Sequence, residues 1–323
     1  MWWMIAAALG ADVRGMTVSC PTWGWEWGTD EMAQTLSELQ TDGINWISIH
    51  PYARIRADGT VSFRRLDPAD PPRWLTRPIE EAHARGMKIL IKPHLAYWGS
   101  PFSWRGAIAF DDPGARARFF ASYRDWVLAI AALVPGADGL VVGTELGGLS
   151  GHETEWRSVI ASIRGVYRGP LTYAANWDEV GRVAFWDALD VIGVQAYFPI
   201  LPGAEPGVVP SDEALDQGWD RVLADLRALH RATGKHVVFT ELGYDASDHA
   251  ARTPWAGGKG RPGSPLQLAC LRASMRAIDR EPAVIGAFLW KWFPGEVQSG
   301  DFRMSAPPLR EAIRDAWREP EPR

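Results

Sequence analysis

Short segments rich in β-branched residues recur along the chain about every forty residues, and apolar residues at three- and four-residue spacing lie between most of them. This alternation predicts parallel strands joined by right-handed helical crossovers. Eight such units favour an α/β fold in which the sheet closes into a single (β/α)8 TIM barrel. A doubly wound open sheet is the alternative, but the first strand is followed by an aromatic segment instead of a glycine-rich phosphate loop. The predicted strands are residues 14–19, 44–50, 88–94, 140–145, 171–176, 191–197, 236–241 and 284–292.

The 323-residue chain contains no linker or composition break, so we expect one catalytic barrel over residues 13–318. Residues 1–12 begin with an apolar run over 1–11 that ends in small residues, which is typical of a signal peptide, although the segment contains no Lys or Arg. An N-terminal cap on the fold is the other interpretation of this segment. Residues 319–323 are predicted to form a polar tail.

Charge and composition exclude several classes of function. The net charge of −5 leaves no basic surplus to hold a phosphate backbone, so we expect no nucleic acid partner. No uninterrupted run of about 18 apolar residues is present, so no membrane span is predicted. The two cysteines, Cys20 and Cys270, are too few for a disulfide framework or a structural zinc site, and we expect free buried thiols. We also expect a monomer.

Two carboxylates stand at predicted strand ends, where the chemistry of such barrels gathers. Glu145 ends the fourth predicted strand and Glu241 ends the seventh, on opposite sides of an eight-stranded mouth. Glycoside hydrolysis needs two facing carboxyl groups, because one protonates the leaving oxygen while the other attacks or activates water. For either residue taken alone, a salt bridge at the barrel rim is the alternative interpretation.

The remaining predicted mouth residues are mainly aromatic, amide and imidazole groups. Tryptophan is unusually frequent, with 18 residues, and its faces stack on the C–H faces of sugar rings, while amides and histidines bind hydroxyl groups. For Trp23 and Trp104, packing is the alternative role. The predicted substrate-binding residues are Trp23, His50, His94, Trp104, Arg105, Asn176, Trp177, Tyr197, Trp290 and Trp292.

Two lysines lie next to these positions. Lys92 shares its strand face with His94, so it would either contact substrate or pair with a carboxylate inside the barrel, and we favour the second. Lys291 is offset by one residue from Trp290 and Trp292, so it is expected to face the other side of their strand in a structural role.

Five segments carry a family resemblance. They read GTEL at 143–146, LTYAANWD at 171–178, IGVQAYFP at 192–199, FTELGY at 239–244 and FLWKW at 288–292, and together they resemble glycoside hydrolase family 113. The resemblance implies a retaining (β/α)8 glycosidase of clan A, mainly an endo-β-1,4-mannanase, that acts on a β-linked polysaccharide or oligosaccharide without a cofactor. A polymer substrate in turn favours a secreted or periplasmic location.

The resemblance also implies roles for individual residues. Glu145 matches the acid/base and Glu241 the nucleophile. Tyr197 matches a tyrosine near the nucleophile, Trp290 the platform under the sugar being cleaved, and His94 and Asn176 polar groups around that sugar. The chain departs from the family pattern at two positions. Thr144 stands where most of clan A has the asparagine that binds the substrate 2-hydroxyl. Gln195 stands where an acidic residue is expected in relatives.

Two other functions remain as alternatives. A metal-dependent hydrolase would use His50, His94, Glu145 and Glu241, but the chain has no His-x-His pair and we expect no metal. A carbohydrate-binding pseudoenzyme would keep the aromatic cleft without catalysis. Hydrolysis that resists a chelator excludes the first alternative, and binding without product supports the second.

Overall fold

The computed structural model describes residues 12–257, 260–295 and 302–317. The predicted signal peptide or cap, apart from Asp12, and the predicted tail at 319–323 lie outside the described residues.

Eight parallel strands close into a barrel, which confirms the predicted fold class. They follow one another around the barrel in the order β1, β2, β5, β7, β8, β9, β10 and β11, and β11 pairs with β1. Strands β3, β4 and β6 form a separate small sheet. The strands are β1 (Val13–Val18), β2 (Trp46–Ile49), β3 (Tyr52–Ile55), β4 (Val61–Ser62), β5 (Lys88–Ile91), β6 (His94–Ala96), β7 (Gly139–Thr144), β8 (Leu171–Asn176), β9 (Ile192–Gln195), β10 (Val237–Leu242) and β11 (Val284–Trp292).

Helices follow every barrel strand of the described chain except β8. Between β8 and β9 the chain forms two short 3-10 turns, Val180–Arg182 and Trp186–Ala188, in agreement with the weak helical periodicity there. The helices are α1 (Asp30–Thr41), α2 (Arg73–Ala84), α3 (Pro113–Leu133), α4 (Glu153–Val166), α5 (Asp212–Thr233), α6 (Pro265–Asp279) and α7 (Pro307–Trp317).

Local sequence explains where these helices begin and end. Asp112 caps α3 by accepting hydrogen bonds from the backbone N–H groups of Gly114 and Ala115 at 3.0 and 2.9 Å, and Pro113 suits the first helical position. Helix α5 ends at Gly234, which has a φ of 69°, the left-handed conformation that glycine adopts without steric cost. These caps fix the lengths of the crossovers and therefore the positions of the strand ends.

The barrel interior is apolar at one end and polar at the other. One small cluster contains a residue in or beside each of the eight barrel strands, and a larger core lies between the sheet and the helices. Leu90 of the small cluster shares its strand face with Lys92, two residues closer to the carboxyl end. The small cluster consists of Val13, Trp46, Leu90, Val141, Ala174, Val191, Val238 and Phe288.

The small sheet joins segments that follow β2 and β5. The sheet has the order β4, β3, β6, and it aligns Tyr52 with His94 above β2 and β5. Cys20 and Cys270 are free and buried, as expected. Among the described residues, no helix combines the length and apolar character needed to cross a membrane.

Candidate active site

Glu241 lies on β10 and is 3% exposed. The Lys92 ammonium pairs with its Oε1 and also donates to the Thr240 carbonyl at 2.9 Å. The Tyr197 hydroxyl donates to Oε2 at 2.7 Å. Each carboxylate oxygen therefore has a charged or polar donor, an arrangement that fixes the orientation of the carboxylate. Lys92 is thus paired with a carboxylate inside the barrel, the role that the sequence favoured.

The groups that hold Glu241 are themselves strongly buried. Burial lowers the pKa of Lys92, and the opposing charge of Glu241 raises it, with a net effect below its ordinary value. Burial and the nearby Glu241 charge raise the pKa of the Tyr197 hydroxyl well above its ordinary value, so this hydroxyl remains a donor. The Tyr197 hydroxyl therefore keeps the proton that it donates to Glu241, whereas burial of Lys92 works against its charged form.

Glu145 directly follows β7 and is 9% exposed. Its φ of 54° makes it the one non-glycine residue with positive φ in the described ranges, an unusual backbone conformation that often marks functional positions. Its amide donates to the Ala174 carbonyl at 2.9 Å, and the next amide, of Leu146, donates to the Tyr173 hydroxyl at 3.0 Å. The backbone around this carboxyl is therefore held by the neighbouring strand β8.

The charge state of Glu145 depends on opposing influences. Burial raises the pKa of this carboxyl, the paired Arg105 guanidinium lowers it, and the charge of Glu241 raises it again, with a net upward direction. Arg105, which is predicted to contact substrate, pairs with Glu145 Oε2 and so lies at this site. The two carboxyl groups consequently differ in environment, because cationic and hydroxyl donors hold Glu241 while burial favours the protonated form of Glu145.

His50 and His94 lie together beneath the mouth. Their rings stack with centroids 4.9 Å apart and planes at 21°, and each is at most 1% exposed. Burial, and then the nearby Lys92, Lys291 and Arg105 charges, lower the pKa of both imidazoles well below the ordinary value, so both are neutral. His94 Nε2 lies 3.5 Å from Glu241 Oε1, but no ring nitrogen of either residue has a hydrogen-bond partner within the described part of the chain.

Unpaired buried nitrogens are costly unless a ligand or water satisfies them. His94 adjoins Glu241, and both imidazoles adjoin the ring of Trp290, which lies 5.4 Å from His50 and 6.2 Å from His94. This pair of neutral rings can therefore donate to and accept from the hydroxyl groups of a bound ligand.

Trp290 and Trp292 do not share a face, contrary to the expectation. The pairing of β1 with β11 passes from Trp290 directly to Trp292, so Lys291 is an extra, bulged residue that reverses the alternation. Trp290 is half-buried in the mouth, whereas Trp292 packs in the core with the Arg310 guanidinium 5.4 Å from its ring. The Lys291 ammonium lies 5.0 Å from the Trp290 ring, so it is at the site and not on the far side of the strand.

The remaining predicted binding residues lie around the mouth, at the end of β8 and on loops. Asn176 ends β8, and Trp177 follows it and stacks on Trp255. Trp23 lies beyond β1, with the Arg54 guanidinium 4.5 Å above its ring and Tyr52 at its edge. Trp104 is 42% exposed and lies immediately before Arg105.

Both departures from the family pattern face the protein interior. The Thr144 hydroxyl donates to the Pro93 carbonyl at 3.0 Å, and Thr144 is 2% exposed. Gln195 Oε1 accepts from the Thr240 hydroxyl at 2.9 Å, next to the backbone of Glu241. Thr144 therefore connects β7 to the segment after β5, and Gln195 supports the strand that carries Glu241.

Sequence reasoning missed Glu179 and Trp255. Glu179 Oε1 accepts from the Asn176 amide at 3.1 Å, and its Oε2 lies against Gly147, two residues after Glu145. Burial raises the pKa of Glu179 to about 7, and the charges of Asp178 and Glu145 add to this effect. Its position three residues after the strand-end Asn176 was the available signal. For Trp255, the signal was a Pro-Trp pair in the long loop after the seventh predicted strand.

The arrangement is suited to acid–base and nucleophilic chemistry on a polar, ring-shaped ligand. It provides one carboxyl that favours its proton, one carboxylate fixed by donors, and neutral imidazoles next to a tryptophan face. Within residues 12–257, 260–295 and 302–317, no three His, Cys, Asp or Glu side chains are grouped as metal ligands.

Comparisons with known proteins identify the family of the chain. Residues 16–301 match the model of Glycoside Hydrolase Family 113. A family 113 β-mannanase from Alicyclobacillus acidocaldarius, solved in complex with ManMIm, is 25% identical, with a TM-score of 0.82 over 96% of this chain and 98% of that one. No curated protein sequence matches the chain.

Two further solved structures share the fold. A family 113 β-1,4-mannanase solved as a complex is 22% identical, with a TM-score of 0.82 over 96% of this chain and 99% of that one. A family 5 mannosidase from Rhizomucor miehei is 12% identical, with a TM-score of 0.62 over 97% of this chain and 95% of that one.

Proposed function

Since the chain belongs to glycoside hydrolase family 113, we propose that it is a retaining β-mannanase that works by double displacement, with Glu145 as acid/base and Glu241 as nucleophile. That it is a glycoside hydrolase, as the sequence predicted, follows from the family. The observation that carries the finer proposal is the unequal environment of the two carboxyl groups at the ends of β7 and β10.

In the first step, Glu241 attacks the anomeric carbon while Glu145 donates its proton to the leaving glycosidic oxygen. Lys92 and Tyr197 hold the two oxygens of Glu241, so the nucleophile needs little reorganisation. Burial and the negative charge of Glu241 favour a protonated Glu145 before the step. The products of this step are a glycosyl-enzyme ester and a released sugar chain.

In the second step, Glu145 takes a proton from water, which attacks the anomeric carbon and releases Glu241. Formation of the ester removes the negative charge of Glu241, so the part of the upward shift in the Glu145 pKa that this charge causes is lost, while the part due to burial remains. The Arg105 guanidinium then stabilises the Glu145 carboxylate that acts as the base. One residue can thus serve as acid and as base because its neighbour changes charge between the steps.

The sugar that is cleaved would lie over Trp290, next to His50 and His94. Trp290 offers its ring face for stacking, and the four unpaired imidazole nitrogens offer donors and acceptors to hydroxyl groups. The first two structural relatives are described as β-mannanases, which supports a β-1,4-mannan as substrate. Because such a substrate is a polymer, we also propose that the enzyme acts outside the cytoplasm, which cell fractionation would test.

Hydrolysis of linear mannan, glucomannan, xylan, β-glucan and chitosan by wild type, Glu145→Ala and Glu241→Ala tests the proposal. We expect the wild type to cleave the mannans with retention of anomeric configuration, with or without a chelator, and both variants to lose more than about 99% of this activity. A wild type that binds mannan without any product would instead support a carbohydrate-binding pseudoenzyme.

A further inference from the structure

Trp255 presents an exposed indole at the barrel mouth. It is 46% exposed, and its ring stacks on Trp177 with centroids 5.5 Å apart and planes at 26°. Trp177 lies 6.2 Å from Phe198, which is 6.2 Å from Phe239 in the core. A connected series of aromatic rings thus leads from the core to one indole. Because Trp177 covers one face of that indole, much of the exposed area belongs to the other face.

The backbone holds this indole in place. The Ala256 amide donates to the Thr253 carbonyl at 3.0 Å, which closes a turn over residues 253–256 with Pro254 at its second position. The Asp245 amide donates to the Pro254 carbonyl at 3.2 Å and ties this turn to the segment after β10. The ring is therefore ordered before any ligand arrives, which reduces the entropic cost of binding on it.

The position of Trp177 indicates which part of a substrate would reach this ring. The groups around the cleaved sugar, Trp290, His50 and His94, come from β11 and from the segments after β2 and β5. Trp177 follows β8, which adjoins β7 and its Glu145 on the opposite half of the barrel. A chain that places its scissile oxygen at Glu145 would thus extend its leaving portion toward β8.

We propose that Trp255, supported by Trp177, is a stacking platform for a sugar unit on the leaving-group side of the scissile bond. The inference rests on the proposed function, because it takes Glu145 as the proton donor to the leaving oxygen. It adds a binding site at least one sugar beyond the catalytic centre, which an enzyme that cuts within a polymer requires.

Two substrates separate this platform from the catalytic centre. Linear β-1,4-mannan carries sugars on both sides of the cleaved bond, whereas β-mannobiosyl fluoride has only a fluoride ion on the leaving side. We expect Trp255→Ala to lower the ratio of kcat/KM for mannan to kcat/KM for the fluoride about tenfold, and Trp255→Phe to restore most of it. Trp25→Ala is the matched control, because Trp25 is 41% exposed but packs against Trp74 and Arg64, and it should leave the ratio unchanged.

The outcomes are distinguishable. An unchanged ratio in Trp255→Ala overturns the platform while the proposed function stands, whether kcat/KM is unaltered or falls equally for both substrates. A wild type that cleaves neither substrate overturns the proposed function and the platform together. Loss of transfer to added mannobiose acceptors in Trp255→Ala, relative to transfer to water, would support the platform independently, because an acceptor occupies the leaving-group side.

Discussion

The Tyr197 hydroxyl donates a 2.7 Å hydrogen bond to Glu241 Oε2, while the Lys92 ammonium pairs with the other oxygen of the same carboxylate. The donors come from the segment after β9 and the segment after β5, which are not neighbours around the barrel. The closed sheet thereby fixes the orientation of Glu241 from two directions. Loss of the Tyr197 donor should affect turnover more than it affects the fold, whereas loss of the Lys92 cation should affect the fold strongly.

Tyr197→Phe removes one of these donors and leaves the ring in place. We expect kcat to fall about 10- to 100-fold, because the carboxylate loses a hydrogen bond that orients it, and the free energy of unfolding to fall by about 1–2 kcal/mol. Tyr123→Phe is the control, since that buried hydroxyl donates at 2.9 Å to the Val142 carbonyl. It should lose comparable stability with kcat intact. A Tyr197→Phe enzyme with full kcat would exclude a positioning role for this hydroxyl.

Lys92→Met leaves the Glu241 carboxylate buried without its cation. We expect the free energy of unfolding, measured by denaturant titration, to fall by about 3 kcal/mol, because an uncompensated buried charge is strongly destabilising. The double variant Lys92→Met/Glu241→Gln removes both charges and should recover much of that loss. If the double variant is no more stable than Lys92→Met, the ion pair does not account for the effect.

Arg105→Gln tests the control of Glu145. The guanidinium lowers the pKa of this carboxyl, so its removal should raise that pKa further above the ordinary value. The first step needs a protonated Glu145, so the alkaline limb of the pH profile of kcat/KM should move to higher pH. The second step needs the Glu145 carboxylate, so kcat near neutral pH should fall. An alkaline limb that stays in place, or moves to lower pH, would contradict this role.

Glu179→Gln should change how stability depends on pH. The pKa of Glu179 is raised from 4.5 to about 7 in the folded protein, so folding favours the protonated carboxyl. That contribution is complete below pH 4.5 and is lost as pH rises through 7. Gln mimics the protonated form at every pH.

We therefore expect wild type and Glu179→Gln to have similar stability near pH 4.5, and the variant to be more stable by about 2–3 kcal/mol at pH 8. The measurement is chemical unfolding at several pH values, with the exposed Glu80→Gln as control. A difference that is independent of pH would show that Glu179 does not titrate in this way.

The alternation of strand and helix was sufficient to predict the barrel, because eight repeats of one local pattern have few ways to close. It also placed Glu145 and Glu241 at strand ends without any knowledge of their distance. Local patterns could not predict the bulge at Lys291, since it depends on how β11 pairs with β1. Strict alternation therefore misplaced both Trp292 and Lys291.

Contacts between distant loops were also beyond the sequence. The ion pair of Arg105 with Glu145, forty positions away, forms because the loop after β6 folds over the end of β7, and no local pattern indicated it. Trp255 follows β10, but its ring rests on Trp177 after β8. Long loops rich in proline and glycine carry no periodicity that would fix such contacts in advance.

The most direct test of the central claim is the anomeric configuration of glycosyl azides, determined by NMR, from Glu145→Ala and Glu241→Ala treated with an activated β-mannoside and azide. In Glu145→Ala, azide should attack the glycosyl-enzyme on the face opposite Glu241 and give the β-azide. In Glu241→Ala, azide should occupy the space of the missing carboxylate and give the α-azide. A β-azide from Glu241→Ala, or no azide adduct from either variant, would contradict the assignment of Glu145 as acid/base and Glu241 as nucleophile.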